Sequence, residues 1–512
     1  MPSSVAAPQA NSLDTALRRS AARHPDRVAL RFGDRDWTYA ALDGAVSAAA
    51  HALLAAGLQR GDRVAAYGTN SDVYAIAFLA VARAGLVHVP VNYALKGGEL
   101  EYLLAQSGAR LVLADPALAA DVEAVRGSTS VTDVIALRDA PGSLLDRITE
   151  PAGGDAPTAA ELPPVGDDDL VQLLYTSGTT SLPKGAMMTH RALSHEHLSC
   201  VLALDLTPED RPLVCMPLYH SAAMHVFLLP YLAVGATVRL LPGPDIAEIL
   251  RTVEAERIDS LFLAPTVWVP LANHPDLDTR DLSSLRKAQY GASIMPVTVL
   301  TRLRERFPEL GFYNCFGQSE IGPLACVLRP EEHDQRPAAA GRSVFFVESR
   351  VLDRHGDPVK PGESGEIQYR SPQLCLGYWE NPQATEEAFA GGWFRSGDLV
   401  TQDEEGFVTV VDRIRDVINT GGVLVASREI EDCLYTHPAV AEVAVVGLPD
   451  ERWIEAVTAY VVVRPGRQAA PEELIAHVKE RLAPFKVPKS VRFVDDLPRN
   501  QSGKLLKREL RG

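Results

Sequence analysis

Apolar and polar positions alternate with two different periods along this 512-residue chain. The stretch YAALDGAVSAAAHALLAAG, from Tyr39, carries apolar residues at helical spacing. The runs DRVAAYG, from Asp62, and ARLVLAD, from Ala109, are short and nearly continuous, which predicts buried strands. VYAIAFLAVARAGLVHVPV, from Val73, reads as a helix feeding a strand, and strand-like VQLLYTSGTT, TVRLL and IDSLFLAP continue the pattern. Such alternation predicts layered α/β units.

The texture changes near residue 335. GRSVFFVESRVLD, GEIQYRS and GFVTVVD are short, alternating and separated by Gly/Pro turns, which predicts a small antiparallel sheet or barrel. The last stretch reads as compact α+β: AVAEVAVVG and VTAYVVVRPG are strands, and PEELIAHVKERL is a helix with Pro471 in its first turn and Leu474, Ile475, Val478 and Leu482 on one face. The expected organisation is a large N-terminal unit, residues 1–412, with two α/β subdomains and a β-rich, barrel-like part near 335–412. A small C-terminal α+β unit, 413–512, follows. The Ala/Pro/Gly-rich stretch around Pro151–Pro164 reads as a surface linker.

Composition changes the picture little. Apolar residues make up 46% and charged residues 23%, as in ordinary globular chains. The net charge of −16 argues against a nucleic-acid surface and a polybasic membrane anchor. An anionic substrate would therefore need a local basic or amide-lined site. Six scattered cysteines without a C-x-x-C pair predict a reduced, cytoplasmic protein. The first residues lack a basic region and an apolar run, so no signal peptide is expected. The most apolar window, AMHVFLLPYLAVGATV, is short and holds His225, Pro230 and Gly235; it predicts buried core rather than stable membrane insertion.

The candidate chemistry begins at YTSGTTSLPKGAMMTH, from Tyr175. A Gly/Ser/Thr-rich turn after a buried strand can cradle phosphate with backbone amides and hydroxyls, and Lys184 can add a fixed charge. On composition alone a plain polar loop fits equally well. The pattern is not a Walker A loop, because Lys184 precedes Gly185, and no G-x-S-x-G, G-x-G-x-x-G or H-E-x-x-H occurs.

The stretch closely resembles the phosphate loop of the adenylate-forming superfamily: acyl- and aryl-CoA synthetases, peptide-synthetase adenylation domains and luciferases. Further matching motifs follow in that superfamily's order. They are MPLYHSAAM, YGAS, YNCFGQSE, GESGEI, WFRSGDL, DRIRDVINTGG and PRNQSGK. The resemblance covers essentially residues 12–512. It implies an acid–CoA ligase using ATP, Mg²⁺ and coenzyme A on a small-molecule carboxylic acid, as a monomer or homodimer.

Roles carry over position by position. Thr176, Ser177, Gly178, Thr179, Thr180 and Lys184 match the residues that hold the β- and γ-phosphates. Glu320 matches the Mg²⁺ ligand. Ser319 stands where threonine is usual and keeps the hydroxyl for the α-phosphate. Phe316 stands where tyrosine is commoner and keeps a ring for adenine, and Gly317 follows it. Asn314 matches a position near the adenine amino edge, and Gly291 and Ala292 would line the purine slot. Asp398 matches the ribose-gripping carboxylate and Arg413 its basic partner. Lys504 matches the lysine that serves the first half-reaction from a mobile small domain, whose hinge is Arg415. Gly422 would let the pantetheine arm approach the backbone.

The acid pocket is expected among His220, Ala223, Val267, Ser293 and Gly322. With small apolar walls and no Arg or Lys, it disfavours a dicarboxylate and suits a medium- or long-chain fatty acid, or an aryl acid. Ser181 replaces a glycine of the phosphate loop, at about 1 kcal/mol if φ there is positive. SHEHLSC, from Ser194, suggests a metal through His195, His197 and Cys200. H-x-H on a helix turns its rings to different faces, so an ordinary helix surface is expected. The Cys315 thiol reads as packing. Two alternatives share the same motifs: an adenylating enzyme with another acceptor (an amine, a carrier-protein thiol, or nitrite), and a nucleotide-binding pseudoenzyme.

Overall fold

The structure, a computed structural model, describes residues 12–149, 162, 164–176, 182–293, 295–421, 423–499 and 505–511. Ser177, Gly178, Thr179, Thr180, Ser181, Gly422 and Lys504, singled out above, lie outside these residues, as does most of the expected linker.

Two α/β sheets form the large part. One has six strands in the order Asp133–Ala136, Ala109–Ala114, Arg63–Tyr67, Val87–Val91, Leu170–Thr176, Lys184–Thr189. All its neighbours run parallel except the last pair. The other has nine strands, with a parallel middle from Gly311–Phe316 to Val28–Phe32. Near-continuous apolar strands are what a sheet covered on both faces requires. Helices start where side chains cap them: Thr38, Ser71 and Thr189 each accept a backbone N–H three residues on. Every residue of the helix Asp72–Arg83 is buried, so it is a core helix rather than a surface one.

A five-stranded antiparallel sheet follows, built around Trp393–Gln402. The run expected as one strand from Gly341 divides between two sheets. Arg342–Ser343 joins the nine-stranded sheet and Glu348–Leu352 the five-stranded one. A turn closed by Val347 N donating to Val344 O, 2.9 Å, breaks the ladder between them. One continuous core runs through both α/β sheets into this third sheet, where it holds Tyr369, Phe394 and Val408.

After Arg413 a short 3-10 turn, Ile414–Asp416, leads into a separate five-stranded sheet with its own apolar core around Ile430, Leu434, Val445 and Leu474. The helix expected from Pro471 spans Pro471–Lys479 and buries Leu474 and Val478. The apolar window from Ala223 is a buried π-helix, Ala222–Leu228, continuing into the helix Leu229–Val234. Among the described residues no helix is long and apolar enough to cross a membrane, and all six cysteines are free and buried.

Candidate active site

The three sheets of the large part meet at a cavity of about 460 Å³, which Arg413 and Arg415 also line. Thr176 ends its strand and pairs in register with Lys184, the first residue of the return strand, so both flank the phosphate-type loop. The strand Gly311–Phe316 brings Phe316 to the cavity, and a short 3-10 turn after it brings Ser319 and Glu320. Backbone packing here is too tight for side chains. A Cβ on Gly317 would stand 2.0 Å from Pro323 O, and one on Gly291 2.2 Å from Cys315 O.

Glu320 is 7% exposed, and its Oε1 accepts from Thr176 Oγ1 at 3.2 Å and Tyr378 Oη at 3.0 Å. Lys184 Nζ stands over the Tyr378 ring, 5.2 Å from its centroid. Burial and then the Glu320 carboxylate push the Tyr378 phenol far above its ordinary range, so it stays a donor. The Ser319 and Ser221 hydroxyls are 2.9 Å apart. Oxygen donors around one carboxylate suit a hard cation such as Mg²⁺. Among the described residues no group of three His, Cys, Asp or Glu forms an all-protein metal cage. A cation held by one carboxylate and by substrate phosphates needs none.

Asp398 and Arg413 face each other across adjacent strands and pair at 2.8 Å. Arg413 also donates to Ser396 O at 3.3 Å. Lys184, Arg395, Arg413 and Arg415 all line the cavity, which supplies the local basic site that the acidic chain requires. Asn314, two residues before Phe316 on the same strand, donates to Ala339 O at 2.9 Å. Ala292 lines the cavity in a left-handed conformation, φ 64°. Arg499 and Leu505 bridge across the segment that contains Lys504. Beyond it, Lys507 pairs with Glu431 at 2.8 Å and donates to Ser427 Oγ at 2.6 Å.

Of the residues expected around the acid, His220 and Ser293 line the cavity. Ala223 and Val267 are buried in the core instead, and Gly322 packs against Glu196, where a Cβ would meet Oε2 at 3.0 Å. The wide π turn brings Ala222, Val226 and Phe227 to the cavity together. Phe227 stacks on Phe262, centroids 4.1 Å apart and planes at 13°. Cys315 also lines the cavity, and burial raises its thiol.

Among the described residues SHEHLSC joins no cluster of three possible metal ligands, and it is only partly a helix surface. His195 lies outside, against Phe346, with Nδ1 2.8 Å from Arg191 O. His197 stacks on His225 in the interior. His225 contacts Gln172 at 2.7 Å, and Gln172 contacts His88 at 2.9 Å. Burial holds His88 and His197 at about 3, so both are neutral. Glu196 is fully buried, and the helix leans it against the 321–324 turn. It accepts from Leu324 N at 3.0 Å, Cys200 Sγ at 3.3 Å and Gln373 Nε2 at 2.5 Å. Burial outweighs these donors and raises its carboxyl to about 8. Sequence reasoning missed Tyr378, Glu196, Phe227 and Phe262. Only the Gly-Tyr-Trp turn at Gly377–Trp379 offered a local signal.

Residues 17–379 match the AMP-binding enzyme family and residues 429–504 the AMP-binding enzyme C-terminal domain. A feruloyl-CoA synthase of an Amycolatopsis species is 40% identical over 493 residues, covering 96% of this chain and 97% of that one. An indoleacetate–CoA ligase of Aromatoleum aromaticum is 34% identical over 497 residues, covering 97% and 96%. A crystal structure of an anthranilate CoA ligase with anthranoyl-AMP superposes with a TM-score of 0.91 at 26% identity, over 99% and 97% of the two chains. With its basic cavity, its Thr176–Glu320–Lys184 cluster and matches across both parts, the chain belongs to the AMP-binding enzyme family and is an AMP-forming acid–CoA ligase.

Proposed function

We propose that the acid is aromatic. The observation that carries this reading is the flat pair of rings, Phe227 on Phe262, in the wall of the cavity. A ring face favours stacking of another ring over contact with a flexible chain. Feruloyl, indoleacetate and anthranilate are the acyl groups in the names of three similar proteins. The fatty acid expected from a wall of small residues takes second place, since the small residues Ala223 and Gly322 do not line the cavity.

ATP, Mg²⁺ and coenzyme A serve the reaction of AMP-forming CoA ligases. In our reading one carboxylate oxygen attacks the α-phosphorus and pyrophosphate leaves. The coenzyme A thiolate then attacks the acyl carbon and AMP leaves. Two anions must be held together in the first step, which favours fixed positive charge and orientation. We assign Lys184 and Thr176, with Ser177, Gly178, Thr179 and Thr180, to the β- and γ-phosphates. Ser319 is assigned to the α-phosphate, Asp398 and Arg413 to the ribose, and Gly291, Ala292, Asn314, Phe316 and Gly317 to the purine. Glu320 would hold Mg²⁺, whose charge shields the phosphates. His220 is assigned to the acid pocket, Lys504 to adenylation and Gly422 to the pantetheine arm. Residues 1–412 and 413–512 would turn about Arg415 between half-reactions. Buried free cysteines support a cytoplasmic setting.

The test is a carboxylic-acid panel with and without coenzyme A, following AMP release. Cinnamic-, indole- and benzoic-type acids are expected to exceed C8–C16 fatty acids at least about tenfold in kcat/KM, a difference of about 1.4 kcal/mol. Preference for fatty acids overturns the aromatic assignment. A rate indifferent to coenzyme A overturns the acceptor, and no acid-dependent exchange of pyrophosphate into ATP favours a pseudoenzyme.

A further inference from the structure

Residues 375–379 lie along the strand Lys184–Thr189. Leu376 N donates to Met187 O at 2.9 Å, Met187 N to Gly377 O at 2.9 Å, and Trp379 N to Gly185 O at 2.8 Å. The same short segment grips Glu320 twice. Cys375 N donates to the Glu320 main-chain oxygen at 2.9 Å, and the Tyr378 hydroxyl donates to its side-chain Oε1 at 3.0 Å. Tyr378 is itself fixed from behind by its N–H to Thr385 Oγ1, 2.9 Å, and is 9% exposed. Its ring face carries the Lys184 ammonium. One side chain thus touches both an acid and a base of the cavity: Lys184 on the six-stranded sheet and Glu320 in the 3-10 turn after the strand Gly311–Phe316.

We propose that Tyr378 is a positioning residue for the metal–nucleotide site. Its hydroxyl, together with Thr176, occupies Oε1 of Glu320 and so presents Oε2 to the cavity, while its ring holds the Lys184 ammonium beside that carboxylate. The inference rests on reading Glu320 as the magnesium ligand. A carboxylate free to change rotamer would have to be ordered each time the metal–nucleotide binds, and a fixed one is not.

The test is calorimetric titration of the full chain with ATP across a Mg²⁺ series and without metal. Tyr378→Phe deletes only the hydroxyl. It is expected to raise the half-saturating Mg²⁺ about tenfold, the worth of one hydrogen bond to a charged group, and to leave metal-free ATP affinity unchanged. Tyr378→Leu also removes the ring face and is expected to weaken metal-free ATP binding about three- to tenfold. A Tyr378→Phe titration within about twofold of wild type overturns the inference, and if the Leu variant does not fold, the Phe variant alone decides. Glu320→Gln separates the two readings. If it abolishes Mg²⁺ dependence while Tyr378→Phe matches wild type, only the positioning role falls. If Glu320→Gln keeps full Mg²⁺ dependence, the ligand assignment falls and the inference with it.

Discussion

Replacing Glu196 with glutamine should change how stability depends on pH more than stability at any one pH. The carboxyl is fully buried and faces only neutral groups: Cys200 on its own helix, Cys315 on the neighbouring strand, Gln373 and the Leu324 amide. Its folded-state value is about 8, against 4.5 when unperturbed. Between those values the native state keeps a proton that the unfolded chain has released. Stability from this group is therefore fully present below pH 4.5 and is lost as pH rises through about 8. Each unit of rise within the window costs about 1.4 kcal/mol, so from pH 5 to 7.5 wild type should lose about 3 kcal/mol that the variant does not. Glutamine turns a second amide toward Gln373, which shifts its curve by a constant and leaves the slope alone. Urea unfolding of both proteins at half-unit steps from pH 5 to 8 measures the gap, and other titrating groups cancel in the difference. A wild-type–variant gap that stays constant across the series refutes the reasoning, because it means the carboxyl is ionised in the folded protein throughout.

Ala292→Gly should stabilise the protein by about 1 kcal/mol, read as a raised urea midpoint, since an alanine at φ 64° carries a left-handed penalty that glycine escapes. Phe227→Ala should raise KM for an aromatic acid about three- to tenfold through lost stacking, while KM for ATP, measured in the same assay, stays within twofold. Lys504→Ala should impair adenylation far more than it impairs thioester formation from a pre-made acyl-adenylate; equal losses in the two assays would remove its assignment. Lys507→Ala strips the buried Glu431 carboxylate of its partner and should cost about 3–5 kcal/mol in chemical denaturation of the C-terminal part.

Much of the fold was legible because its signals are periodic. The strands at Arg63–Tyr67, Ala109–Ala114 and Ser260–Leu263 are short apolar runs, and a buried parallel sheet requires such runs. The residues assigned to the nucleotide stood out too, because Thr176, Lys184, Glu320 and Asp398 sit in polar motifs against an apolar background. The residues assigned to the acid did not. Phe227 and Phe262 are apolar residues among apolar residues, and only the wide turn and a contact 35 positions away decide that they face the cavity. Val267 has the same composition and points into the core. Glu196 looked like helix surface because nothing local announces that the 321–324 turn closes over it. Tyr378 meets Glu320 through a contact 58 residues long, and local pattern cannot carry that.

The π turn also makes chain length a lever on chemistry. Leu229 N reaches back five residues, to Met224 O, so the segment holds one more residue than an ordinary helix would use. Deleting that extra residue would let the coil tighten to an ordinary helix and keep the register of the flanking residues. Only the side chains that the wide turn pushes toward the cavity would move, so a one-codon deletion tests whether that turn sets the choice of acid.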